Sequence, residues 1–226
     1  MEKKNPIDLK IQGHGSSAGG KFNNVIIKGA GQINGDVDCV TLEIYGDCEL
    51  NGNLKANVVR IKGNSRIKGN LKADKLNIKG AADIEGNISV EEVTTQGSIN
   101  VNGDCNAEIF SVEGMFAVEG LLNSGKIEVK LHGPSKALEI GGEEIKVERK
   151  GKLGFFALKS MILPGLKNGL TTNSIEGDEI FLEHTQSKVV RGNNIVLEAG
   201  CDIELVEYND SFKMDEKADV GTHRKI

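Results

Sequence analysis

Four histidines and four cysteines are the residues of this 226-residue chain best suited to hold a metal or to act as nucleophile and base. A zinc site asks for such residues in close pairs, and Cys39, Cys48, Cys105 and Cys201 contain no CxxC. His14 and His223 fall in terminal stretches, His132 sits beside Gly133-Pro134 and His184 stands alone in a later segment. None has a second histidine near it, and His132 reads as a surface loop residue. Asp36 and Asp104 share one column of the sequence with Asn53, Asn70 and Asn87 between them, a spacing that suits side-chain hydrogen bonds from one copy to the next and not the close acid pair of a hydrolase. Glu85 and Glu119 alternate with Lys68 and Asn102, as on a solvated face. Gly13-His14-Gly15 and Gly29-Ala30-Gly31 lack the strand, helix and Lys-Ser/Thr context of a phosphate loop. The expectation is no catalytic residue, no cofactor, no metal and no small-molecule substrate.

What must position these residues is a repeat. Gly29, Gly46, Gly63, Gly80, Gly97 and Gly114 stand 17 apart, and so do Gly35, Gly52, Gly69, Gly86, Gly103 and Gly120. Apolar columns obey the same period, one running Val25, Leu42, Val59, Leu76, Val93, Phe110 and another Ile33, Leu50, Ile67, Ile84, Val101, Val118. Within a repeat the apolar positions are two apart, the period of a strand. Val59 and Ile61, then Ser65 and Ile67, then Leu71 and Ala73 point inward, with bends at Gly63 and Gly69; because 17 is odd, a third bend must absorb one residue. Three short strands per coil, stacked at the roughly 4.8 Å strand spacing, predict an all-β, triangular β-helix. The column Gly31, Cys48, Ser65, Ala82, Ile99, Phe116 grows in size, which predicts a core that widens toward the C-terminal end. The cysteines on inward positions read as small buried hydrophobes.

Composition agrees. With 38% hydrophobic and 27% charged residues the chain is neither disordered nor a membrane bundle, and 7 Phe, 2 Tyr and no Trp cannot fill a wide core. A net charge of -5 gives no bias toward nucleic acid. The N-terminus lacks the apolar stretch of a secretory signal and no run of 18 apolar residues occurs, so a cytoplasmic protein is expected.

The expected organisation is a flexible lead-in at 1–22, a β-helix at 23–148, a basic apolar connector at 149–173, a second short β segment at 174–207 and a mobile tail at 208–226. The second segment repeats at 15, through Gly177/Gly192, Ile180/Ile195, Leu182/Leu197 and Val190/Leu205. It is expected either to cap the β-helix or to form a separate unit. Residues 149–168 carry five cationic side chains and no acidic one. On a helix Phe155, Leu158 and Ile162 form an apolar stripe that Phe156 and Leu163 widen, with Lys159 beside it; this suits either contact with an anionic membrane surface or a lid over the open C-terminal end of the β-helix.

The consecutive stretches LEIYGDCELNGNLKA, VVRIKGNSRIKGNLKA and KLNIKGAADIEGNISV resemble the coils of bactofilins, polymer-forming bacterial cytoskeletal proteins, and the resemblance spans about residues 23–148. It implies a right-handed β-helix that stacks end to end into filaments or bundles without nucleotide, often near the inner face of the cell membrane, with itself and a paralogue as partners. A β-helix ends in unpaired strand edges. On the expected boundaries Val25, Ile27 and Ile33 lie at one end and Phe110, Phe116, Ile127 and Val129 toward the other, and these seven form the expected assembly interface. The functional expectation is a cytoskeletal scaffold and not an enzyme; the alternatives are a carbohydrate-active or acyl-transferring solenoid and a non-polymerising adaptor.

Overall fold

A computed structural model describes residues 7–149 and 169–226. They form ten strands and, among the described residues, no helix: β1 (Ile7–Asn51), β2 (Leu54–Ile67), β3 (Leu71–Ile84), β4 (Ile88–Val101), β5 (Cys105–Leu131), β6 (Ser135–Arg149), β7 (Leu170–Leu182), β8 (Thr185–Leu197), β9 (Asp202–Met214) and β10 (Asp219–Lys225). Each pairs in parallel with the next, so sequence order is also spatial order and the whole is one β-solenoid. Register is kept by the 17-residue repeat: Val59 lies on Leu42, Ile61 on Ile44 and Gly63 on Gly46.

The coil closes as the parity argument requires. Val59, Ile61, Ser65, Ile67, Leu71 and Ala73 are buried, and two successive outward residues, Asp74 and Lys75, precede the next buried residue, Leu76. Inward positions are therefore spaced two then three, two then four, two then four. The two wide corners are the glycine columns, and they need glycine for different reasons. Gly63 has φ +134 and a Cβ there would overlap the carbonyl oxygen of Gly46 beneath. Gly69 is not in the left-handed region; a Cβ on it would lie 2.6 Å from the carbonyl oxygen of Gly52. Beside this second corner the asparagine ladder forms: the backbone N–H of Asn70 donates to Asn53 Oδ1 (2.9 Å), that of Asn87 to Asn70 Oδ1 (2.8 Å) and that of Asp104 to Asn87 Oδ1 (2.9 Å).

The structure departs from the expected boundaries at both ends. Residues 7–22, expected to be a flexible lead-in, belong to β1 and make a further coil. Ile11 packs beneath Ile27, Gly13 lies under Gly29, and Asn24 N donates to Asp8 Oδ1 (3.0 Å) across a period of 16. That coil is rich in glycine and serine, so its apolar columns are too thin to register in a search at 17. Residues 174–207 neither cap the column nor form a separate unit, since β7 pairs with β6 from Ser135↔Leu170 to Val147↔Leu182 and extends the same sheet. Nor is 208–226 left outside it: β10 pairs with β9 from Asp219↔Asp202 to Lys225↔Tyr208. The 15-residue register Gly177↔Gly192, Ile180↔Ile195 and Leu182↔Leu197 is present. The expected match of Val190 to Leu205 is replaced by Val190↔Val206, because the following coil is one residue longer. The widening of the core also stops at Phe116: its backbone N–H meets Ser135 Oγ at 3.1 Å, and the column returns to a small residue there.

Candidate assembly surfaces

The seven residues expected at solenoid ends all lie inside the column. Val25, Ile27 and Ile33 are fully buried, covered by the coil that begins at Ile7. Phe110 and Phe116 pack edge to face, centroids 5.6 Å apart, in the middle of the solenoid, and Ile127 and Val129 are sealed by β6, whose Ile145 and Val147 lie on them in register. The placement expected from the sequence is thus corrected. The cause is a change of period at both limits: the coil beneath Val25 and Ile27 is set off by 16, and β6 lies on Ile127 and Val129 at a spacing of 18, so neither continues the 17-residue frame. The residues expected at a membrane, Phe155, Phe156, Leu158, Lys159, Ile162 and Leu163, lie outside the described residues.

The surfaces that do end the solenoid are built by other residues. At the N-terminal end Ile11 is 6% exposed and Leu9 half-buried, followed by the polar run Gly13–Gly20; among the described residues no strand lies beneath this coil. At the C-terminal end β10 covers only the Asp202–Tyr208 half of β9. Ser211–Met214 rests on Asn194–Leu197 below and, among the described residues, has no strand above. Phe212 stacks between Tyr208 and His223, with centroids 5.7 Å and 5.2 Å away, Met214 is 45% exposed and Ile226 56%. Ring residues close together in the last stretch were the signal available in the sequence, but only with the register known do Phe212 and Met214 fall on the core columns of Ile195 and Leu197.

A carboxylate fastens this last coil. Glu207 is 4% exposed and accepts from Arg191 Nε (2.8 Å) and Nη2 (2.6 Å) of β8 and from Arg224 Nε (2.9 Å) and Nη2 of β10. The Arg224 and then the Arg191 hydrogen bonds hold its carboxyl below the usual carboxylate range. One side chain therefore joins three successive strands.

Elsewhere the geometry offers little to chemistry. Burial pushes the Cys48 and Cys105 thiols up to about 12 and those of Cys39 and Cys201 up to about 11, so at neutral pH they remain protonated and unreactive. An open groove of about 870 Å³ runs over the N-terminal coils where the inward column Gly31, Cys48, Ser65 is small. Its charges answer one another: Arg66 pairs with Asp83 at 3.8 Å and Asn64 Nδ2 donates to Asp47 Oδ1 at 2.9 Å. His132 is an exposed neighbour of Glu113 at 3.8 Å. His184 turns a corner with φ +46; burial and then Arg149, whose Nη1 is 3.4 Å from its ring, hold its pKa down. Among the described residues no group of three His, Cys, Asp or Glu could hold a metal, and no helix is long and apolar enough to cross a membrane.

Residues 4–89 match the protein family described as "Bactofilin: Polymer-forming cytoskeletal". The chain is also similar to two uncharacterized proteins of Bacillus subtilis (strain 168): YhbF, 36% identical over 107 residues, and YhbE, 39% identical over 108. Each match covers 47% of this chain but only 42% of YhbF and 43% of YhbE, so the chain spans less than half the length of these curated relatives. No solved structure matches. The matched stretch is built from the coils whose glycine, aliphatic and asparagine columns form the solenoid, and over this stretch the chain is similar to the bactofilin domain.

Proposed function

We propose that the protein is a cytoskeletal scaffold, without enzymatic activity, whose solenoids join end to end through their terminal coils with no nucleotide required. The observation that carries this reading is the pair of open ends. The coil of Leu9 and Ile11 and the coil of Phe212 and Met214 each present backbone edges with no strand against them among the described residues. Unpaired edges over an apolar column template another strand unless covered. The polymer-forming description of the matched family supports the same reading. Electron microscopy of purified protein without nucleotide tests it. Filaments are expected, and Ile11→Lys or Met214→Lys should shorten or abolish them with β-type circular dichroism retained. Particles that stay monodisperse at every salt and protein concentration would remove the reading. Peripheral membrane contact is carried by the cationic apolar composition of 149–168 alone, and deleting residues 152–164 should then abolish co-sedimentation with anionic vesicles while filaments persist.

A further inference from the structure

Charge is sorted by height along this solenoid. From Leu54 to Asn87 the chain carries eight Lys or Arg and three Asp or Glu; from Ile88 to Gly120 it carries six carboxylates and no Lys or Arg. These are adjacent bands, each two coils or about 10 Å tall, because Leu71 lies under Ile88 and Lys72 under Ser89. One ion pair crosses their boundary, Lys75–Glu92 at 3.0 Å.

On the face formed by 54–57, 71–74, 88–91 and 105–108 Asp74 accepts from Asn57 Nδ2 at 2.8 Å, while two stacks of like charge make no ion pair among the described residues. Lys55 lies directly under Lys72. Glu91 lies under Glu108, as the flanking pairs Ser89↔Asn106 and Glu92↔Ile109 require. All four side chains are exposed, and among the described residues none of them makes an ion pair within the chain. Like charges set directly opposite in a sheet are unfavourable; Asp38, in register beneath Lys55, is shared with Lys21 at 3.8 Å, so opposite charge from a second molecule relieves both stacks further.

We propose that this face is a lateral docking surface for a second copy of the same chain lying antiparallel to the first. The order of the bands selects that arrangement. Two copies side by side in parallel and in register would set basic band on basic and acidic on acidic. Turned antiparallel about a dyad between β3 and β4, the coil of Lys72 faces the partner's coil of Glu91, and the coil of Lys55 faces that of Glu108. Lysine and glutamate are then offset by two residues along the strand, about 7 Å, within reach of two long side chains. Ile109, 43% exposed beside Glu108, meets the partner's half-buried Val58, which shares its register position. The contact is isologous, as closed pairs of identical chains usually are. It is independent of end-to-end stacking, which uses other surfaces.

Sedimentation of the full chain, with electron microscopy for filament width and length, tests the pairing. The parent is expected as lateral pairs at low ionic strength, dissolving near 1 M salt where the screening length falls to about 3 Å. Lys55→Glu with Lys72→Glu should abolish pairing, and so should Glu91→Lys with Glu108→Lys, while an equimolar mixture of the two variants restores it. The milder Lys55→Gln with Lys72→Gln should weaken pairing without reversing charge, and circular dichroism confirms that each variant is folded. Pairing that survives both reversals, or that does not return in the mixture, overturns the proposal. So does a parent that never pairs but binds phosphatidylserine vesicles through Lys55 and Lys72, which would make lipid the occupant. Loss of filament length with pair width retained counts against end-to-end stacking alone.

Discussion

The coils of β2–β4 and those of β7 and β8 solve one problem with different side chains. Both must turn three corners per circuit and satisfy the backbone there. The 17-residue coils make two corners wide, with a glycine at each, and at one of them an outward Asn accepts the N–H of the coil above. In the 15-residue coils every corner is narrow: Leu170, Thr172, Ile175, Gly177, Ile180, Leu182 and Thr185 follow at steps of two and three. The asparagine is gone and an inward hydroxyl replaces it. Thr172 Oγ1 donates to the carbonyls of Leu138 (3.1 Å) and Ser174 (3.2 Å), and Ser187 Oγ to that of Val189 (3.0 Å). At the other shortened corner His184, at φ +46, stands where the longer coils place a left-handed glycine. One solenoid can thus change period in mid-column as long as the inward positions stay in register, because the sheet constrains the columns and not the residues spent at the corners.

The comparison breaks first at the wide corner. Gly63→Val puts a β-branched residue at φ +134 against the Gly46 carbonyl and should lower stability by about 3 kcal/mol or more, read from urea unfolding followed by circular dichroism. The second effect is confined to the C-terminal coil. Glu207→Gln should open β10, lifting hydrogen-exchange protection at Val220–Lys225 and leaving β2–β4 protected. Acid should do the same to the parent. Since the Glu207 carboxyl is held down in the fold, its contribution is present above the ordinary carboxylate value near about 4.3 and is lost as pH falls below it, through the depressed native value. Smaller and matched losses are expected for the two corner devices. Asn70→Ala removes the acceptor of the Asn87 N–H and Thr172→Val the donor to two carbonyls, each costing about 1 kcal/mol; a much larger loss at one of them would show that the two are not equivalent. The smallest effect has the opposite sign. Thr95 is 1% exposed and its hydroxyl has no hydrogen-bond partner, so Thr95→Val should raise stability by about 1 kcal/mol.

The central coils were legible in the sequence because strands two residues in period, stacked in register, force identical residue types to recur at one interval. The columns of Val59, Ile61 and Ile67, the bends at Gly63 and Gly69, the asparagine ladder and the burial of Cys39, Cys48 and Cys105 follow from that alone. The ends were not legible. The coil of Ile11 is held by glycines and by one Asp8 carboxylate that no repeat announces, and the coils of β7 and β8 use other periods than 17. Val25, Ile27, Ile127 and Val129 therefore looked terminal and are interior. By itself the sequence determined what recurs: which side chains face inward, where a coil must bend and how charge is banded along the axis. Only the tertiary structure decided what closes the column: which coil is last, which strand edges are left unpaired and that Glu207 joins Arg191 to Arg224. Those contacts join residues whose spacing is set by corners of unequal length, and corner length leaves no periodic trace.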